Sequence, residues 1–214
     1  MQWLQSCKVL LEGLSGGRWK KNHKKLCVHP LFSVAKAGNV SKMSAALSAG
    51  ANANANMIKS GMTILMAASQ EGRKEIVKLL LEKGADANAK ENDGGVALLV
   101  ASNRGFTDIV KLLLEKGADV SAKFNNGATA LMIASAFGFL DIVYLLLDKG
   151  ADVNAKHNDG YTALIAASQE GCTDIVKLLL ENGADVNWKN NNGYTALTIA
   201  SEEGQTEVVK LLSK

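Results

Sequence analysis

The sequence predicts an all-α solenoid of about six copies of a two-helix unit, and three registers predict it. Shifted by 33 residues, the chain overlays near-copies of itself: Ala68, Ala101, Ala134, Ala167 and Ala200 share one position without exception. Gly72, Gly105, Gly138, Gly171 and Gly204 keep a second, and Thr63, Thr129, Thr162 and Thr195 a third, with Val96 in the odd slot. A fixed period of this size means one supersecondary unit stacked on its neighbours.

Within the unit, Thr162 can cap a helix by accepting a free backbone N–H, and the apolar run Ala163 to Glu170 then gives about two turns before Gly171 stops it. A second helix follows over Ile175 to Glu181. Asp174 precedes it, with Glu75, Asp108, Asp141 and Glu207 in the same place elsewhere, where an acid suits the positive end of a helix dipole. Lys83, Lys116 and Lys149 stand at the opposite end. Ile175, Val176, Leu178, Leu179 and Leu180 are apolar on more than one face, which suits a helix held between neighbouring repeats. The small alanine of the first helix marks a close approach of two helices, so Ala167→Leu is expected to overpack it.

The unit reads G-x-T-A-L-x-x-A-S-x-x-G-x-x-[DE]-[IV]-V-x-L-L-L-x-x-G-A-D-V-N, and it resembles the ankyrin repeat. The spacing recurs through residues 61–214 and in weaker form from Leu31. Thr162–Ala163–Leu164–Ile165 stands where the family has T-P-L-H, a loss of local rigidity and capping. The resemblance implies β-hairpin fingers between units, a curved stack, and protein binding through the finger tips and the concave face of the first helices.

In chain order, residues 1–29 form a basic extension and residues 30–214 the array. Trp3, Leu4, Cys7, Leu10, Leu11 and Leu14 lie at helical spacing, and Ser15 to Lys25 is a basic linker. Cys7, His23, Cys27 and His29 have zinc-ligand chemistry but match no zinc-site spacing, so no metal is expected. Residues 30–60 are a degenerate end repeat, in which Lys42 replaces an isoleucine and Ala45 and Ala46 replace leucines, as a solvent-facing cap needs. Units 61–93, 94–126, 127–159 and 160–192 follow, and 193–214 is the C-terminal cap, with Ser213 in place of a leucine.

Composition narrows the function. Six basic residues in the extension face only Glu12, a net +5, so the chain's +3 leaves −2 for the array. A polyanion-binding array is therefore not expected. Lys90, Lys123, Lys156 and Lys189 form a row best read as solvated edge lysines. Asn88, Asn154 and Asn187 recur in the fingers, where the family uses that asparagine for loop hydrogen bonds. Apolar runs fall well short of the ~18 residues of a membrane helix. Three cysteines sharing no repeat position favour a reducing compartment, the cytoplasm, with the nucleus as the alternative. No nucleotide, hydrolase or zinc-peptidase motif occurs, so neither catalysis nor a cofactor is expected. His157, a lone histidine in the array, reads as a surface residue.

Carried over by position, the resemblance places partner contacts at finger residues Asn92, Asp93, Phe124, Asn125, Asn126, Asp159, Tyr161 and Tyr194. At the first-helix ends it places them at Arg104, Phe137, Gln169, Glu170, Glu202 and Glu203. Trp188 stands where other units carry Ala89, Ala122 and Ala155, so framework packing does not require it. The aromatics Phe124, Phe137, Tyr161, Trp188 and Tyr194 are expected exposed, as anchors for a protein partner. Phe106 and Phe139 are assigned to local packing. The function expected is a monomeric protein-binding scaffold or adaptor. The alternative is a tether whose residues 1–29 contact membrane phosphate or nucleic acid while the repeats act as a spacer.

Overall fold

The computed structural model describes residues 30–57 and 59–213. The expectations for residues 1–29, including the amphipathic helix, the basic linker and the tethering alternative, lie outside the described residues. Those residues hold six helix pairs: α1 Pro30–Ala37 with α2 Val40–Ser48, α3 Ile64–Gln70 with α4 Lys74–Glu82, and α5 Ala97–Asn103 with α6 Thr107–Glu115. The series continues with α7 Ala130–Ala136 and α8 Leu140–Asp148, α9 Ala163–Gln169 and α10 Thr173–Glu181, and α11 Ala196–Glu202 and α12 Thr206–Leu212. Each first helix packs on the first helices beside it and each second helix on the second helices, giving two parallel rows.

The two rows divide the burial unequally. Every residue of α7 and of α9 is buried. The second helices bury a single stripe, Ile109, Val110 and Leu113 in α6 and Ile175, Val176 and Leu179 in α10, and flanking leucines lean on the same core. At about 25 cal/mol per Å² of apolar area, that stripe contributes only because neighbouring pairs cover it. The expected caps form: the hydroxyls of Thr63, Thr129, Thr162 and Thr195 each accept the backbone N–H three residues on. Val96, with no such oxygen, makes no side-chain cap.

Lys42 and Ala45 are exposed, so the outer side of the first pair faces solvent as a cap requires. The fingers are shorter than hairpins of named strands. Among the described residues they show two isolated antiparallel bridges, Asn56 with Thr63 and Lys123 with Thr129. Each is instead closed by a turn, as where the Phe124 N–H donates to the Ala128 carbonyl at 3.0 Å and the His157 N–H to that of Tyr161 at 2.9 Å.

Phe106 and Phe139 do more than pack locally, because each ring lies over the mid-repeat glycine of the preceding unit. Gly72 and Gly105 have φ of +68° and +71°, and a Cβ on either would come within 2.8 and 2.7 Å of those rings. Only glycine combines that backbone with that approach. The equivalent residues Arg73 and Gln205 close the same gap by donating to the carbonyls of Lys36 and Gln169, at 2.9 and 3.0 Å.

Candidate functional site

The fingers are held in line by two asparagine rows. In one, the N–H of Asn92, Asn125, Asn158 and Asn191 donates to the preceding finger, at Ser60, Asp93, Asn126 and Asp159. Their carboxamides donate further, Asn92 Nδ2 to Lys59 at 2.8 Å and Asn125 Nδ2 to Asn92 at 3.1 Å. Asn92 and Asn125 are thus exposed finger residues whose amides are already engaged in holding fingers together. Asp93 and Asn126, both half-buried, accept the N–H of Gly95 and Ala128 and so shape their own turns.

The second row confirms the loop role of the recurrent asparagine and extends it. Asn88 grips the following finger with both ends of its carboxamide: Nδ2 donates to Gly117 at 3.0 Å, and Oδ1 accepts the Asp119 N–H at 2.7 Å.

Two expected contacts are buried rather than exposed. Tyr161 is 6% accessible, and its ring joins the core while its side chain meets that of Asn190. Gln169 is 8% accessible because Gln205 of the next unit reaches over it. His157 is likewise buried, since finger turns fold that position inward. Its Nδ1 accepts the Asp159 N–H at 3.1 Å, and burial holds its pKa below the ordinary value despite the nearby Asp159 charge.

The other aromatics remain half-buried. Phe137 caps the end of α7 and stacks on Phe139, with centroids 6.0 Å apart. Phe124 and Tyr194 lean on the core from the fingers. Trp188 is tied into the framework after all: its Nε1 donates to the Gly160 carbonyl at 2.8 Å, and the Lys156 ammonium sits 3.2 Å from its ring centroid. That contact takes Lys156 out of the simple solvated row. Arg104, at the end of α5, is half-buried.

Asp159, Glu170, Glu202 and Glu203 are exposed. Burial raises the pKa of the Tyr161 phenol, and the Asp159 charge, with a smaller push from Glu203, adds to it. The C-terminal units therefore expose acids at the finger tips and first-helix ends, while Phe137, Trp188 and Tyr194 are partly covered.

Two residues escaped the sequence reading. Glu91 is 8% accessible, its Oε1 has no hydrogen-bond partner among the described residues, and burial followed by the Asp93 charge raises its pKa to about 7. It occupies the inward finger position of Phe124, His157 and Asn190, a correspondence readable from the 33-residue offset. Tyr144, on the outer face of α8, is 61% exposed and stands where Lys78, Lys111, Lys177 and Lys210 stand. The broken lysine column was its signal.

Among the described residues, no cluster of His, Cys, Asp and Glu could hold a metal, and no helix is long and apolar enough to cross a membrane. Cys172, half-buried and without a disulfide among the described residues, has its thiol pKa pushed up by burial and by Glu170. A raised thiol pKa leaves little thiolate to act as a nucleophile.

Stacked helix pairs and finger turns linked by side-chain amides define a repeat solenoid. The family model for ankyrin repeats (three copies) matches residues 4–91, 84–157 and 154–214. The chain belongs to the ankyrin repeat family, whose repeats are generally protein–protein interaction modules. No curated protein matches it.

Proposed function

We propose that this chain is a scaffold or adaptor that binds a protein through its finger tips and first-helix ends, centred on the C-terminal units. The observation that supports this reading is that Phe137 and Tyr194 are only half-buried and that Glu170, Glu202 and Glu203, at first-helix ends of the C-terminal units, are exposed. Half-buried aromatics have little side-chain freedom left to lose, and aromatic anchors commonly dominate interface energies. The exposed acids favour a partner segment that carries basic and apolar residues. Asn92, Asp93, Asn125 and Asn126 serve this surface chiefly by fixing its shape. The chain acts as a monomer, and three cysteines that share no repeat position favour a reducing compartment such as the cytoplasm.

The test compares quantitative capture on the full chain with capture on Phe137→Ala/Tyr194→Ala and on Glu202→Lys/Glu203→Lys, each checked for unchanged circular dichroism. A partner whose affinity falls about tenfold or more in both folded variants, as loss of hot-spot contacts predicts, places the surface. A partner held equally by all three moves binding elsewhere.

A further inference from the structure

The carboxamide row is broken at one junction. Asn54 Nδ2 donates to Gly84 at 3.1 Å and its Oδ1 accepts the Asp86 N–H at 2.7 Å. Asn88 does the same to Gly117 and Asp119, and Asn154 to Gly183 and Asp185, at 3.0 and 2.9 Å. At the intervening position stands Ser121. Its hydroxyl turns back to the Asp119 carboxylate of its own finger, which lowers the Asp119 pKa. Among the described residues nothing bonds to the Gly150 carbonyl or the Asp152 N–H, the counterparts of the pair gripped at the other three junctions. A cavity of about 240 Å³ borders Asp152, lined also by Val120, Ser121, Thr129, Leu131, Ala151 and Ala155, with Lys123 and Lys156 at its edge and the exposed Gly150 next in the chain to Ala151.

We propose that this junction is a receptor for a primary carboxamide, the group ending an asparagine or glutamine side chain, presented by a partner protein. The identity of the source rests on the protein-binding reading above; the chemistry of the site does not. The ligand must donate to one carbonyl and accept from one N–H a few ångströms away, and the same backbone pair selects a carboxamide three times elsewhere in this chain. A carboxylate could accept from Asp152 but has no proton for Gly150, so it leaves half the site unmet. The apolar walls of Val120, Leu131 and Ala155 suit the methylenes behind the amide. Ser121 leaves the space in which a cis asparagine would sit.

The test uses the full chain, ¹⁵N-labelled, titrated separately with acetamide and with acetate, in wild type and in Ser121→Asn. Acetamide is expected to shift the Asp152 amide resonance saturably, acetate to produce no saturable shift there, and Ser121→Asn to reduce the acetamide response about fivefold or more by filling the site in cis. The same variant should melt about 2–4 °C higher, since it adds up to two net-favourable hydrogen bonds. Absence of a saturable acetamide shift at Asp152 would overturn the proposal, as would an unreduced response in Ser121→Asn. An equal response to acetate would reassign the cavity to anions held by Lys123 and Lys156. A Ser121→Asn melt no higher than wild type would mean that Gly150 and Asp152 are not set as at the other junctions, and the proposal would fail. None of these outcomes depends on Phe137 or Tyr194, so loss of the aromatic surface and loss of this site are separable.

Discussion

The junction spanned by Asn88 and the junction spanned by Ser121 are built on the same helices but differ at the finger edge. Both are latched near the first-helix ends by a phenylalanine over glycine, Phe106 on Gly72 at one side and Phe139 on Gly105 at the other. Both bury a leucine of the second helix completely, Leu113 in α6 and Leu146 in α8. The carboxamide differs, as does the exposed Lys74–Asp108 pair, which crosses the first junction and has Thr107 in place of the lysine at the second. Helix packing and the first asparagine row, through which Asn158 donates to Asn126 and Asn125, therefore keep the stack in register, whereas the carboxamide grip is an added layer that the chain has relinquished in one place. In a linear array, where stability is a sum of repeat and nearest-neighbour terms, such a local lapse stays local.

The largest effects should not distinguish the two junctions. Leu113→Ala and Leu146→Ala, each emptying a fully buried site, are expected to cost about 2–5 kcal/mol in urea unfolding and to agree within about 1 kcal/mol. A much cheaper Leu146→Ala would mean that the weakness at Ser121 extends into the helices. A smaller, pH-dependent effect comes from Glu91, two fingers away from Gly150. Its folded pKa of about 7 exceeds the ordinary 4.5, so the folded chain holds the proton more tightly than the unfolded chain. Glu91 thus costs nothing below pH 4.5 and lowers stability progressively as pH rises toward 7. The penalty at pH 8 should be about 1–3 kcal/mol, with screening at the finger edge counted in. Melting of Glu91→Gln and wild type should diverge across that range, the variant being the more stable at high pH. His157, depressed by burial, acts with the opposite sign in both proteins and cancels in the difference. Parallel curves would show Glu91 to be solvated.

The framework was legible because packing repeats: one alanine and one glycine in every unit from residue 61, with a threonine in each of them except that of Val96, declare the helices, the turn and the cap. The fingers were legible only as polar loops, because their bonds run between units some 30 residues apart, as from Asn54 to Gly84 and Asp86. Tyr161 and Gln169 were misread as exposed for the same reason. What buries Gln169 is Gln205 of the next unit, and nothing local to Gln169 announces it. His157 and Glu91 are polar types at a position that turns inward, where only comparison down the column with Phe124 gives a hint. Tyr144 could have been found, since a lysine holds its place in four other units.

The smallest prediction separates the junctions themselves. Asn88→Ala removes two hydrogen bonds between fingers, to Gly117 and Asp119, both solvent-accessible, so water can replace the lost partner and the loss is only the net term. The expected cost is about 1–2 kcal/mol. Ser121→Ala removes one hydroxyl bonded within its own finger to Asp119, and no contact to the next unit, so its cost should stay near 0.5 kcal/mol or less. Equilibrium urea unfolding of the two variants side by side checks the contrast, and unfolding is best followed by two probes because repeat arrays can lose cooperativity. Equal costs would mean that the asparagine grip carries no net energy between fingers. A Ser121→Ala cost well above that of Asn88→Ala would mean that Ser121 supports its junction through the Asp119 turn, and that the gap at Gly150 and Asp152 is compensated within the chain rather than left for a partner.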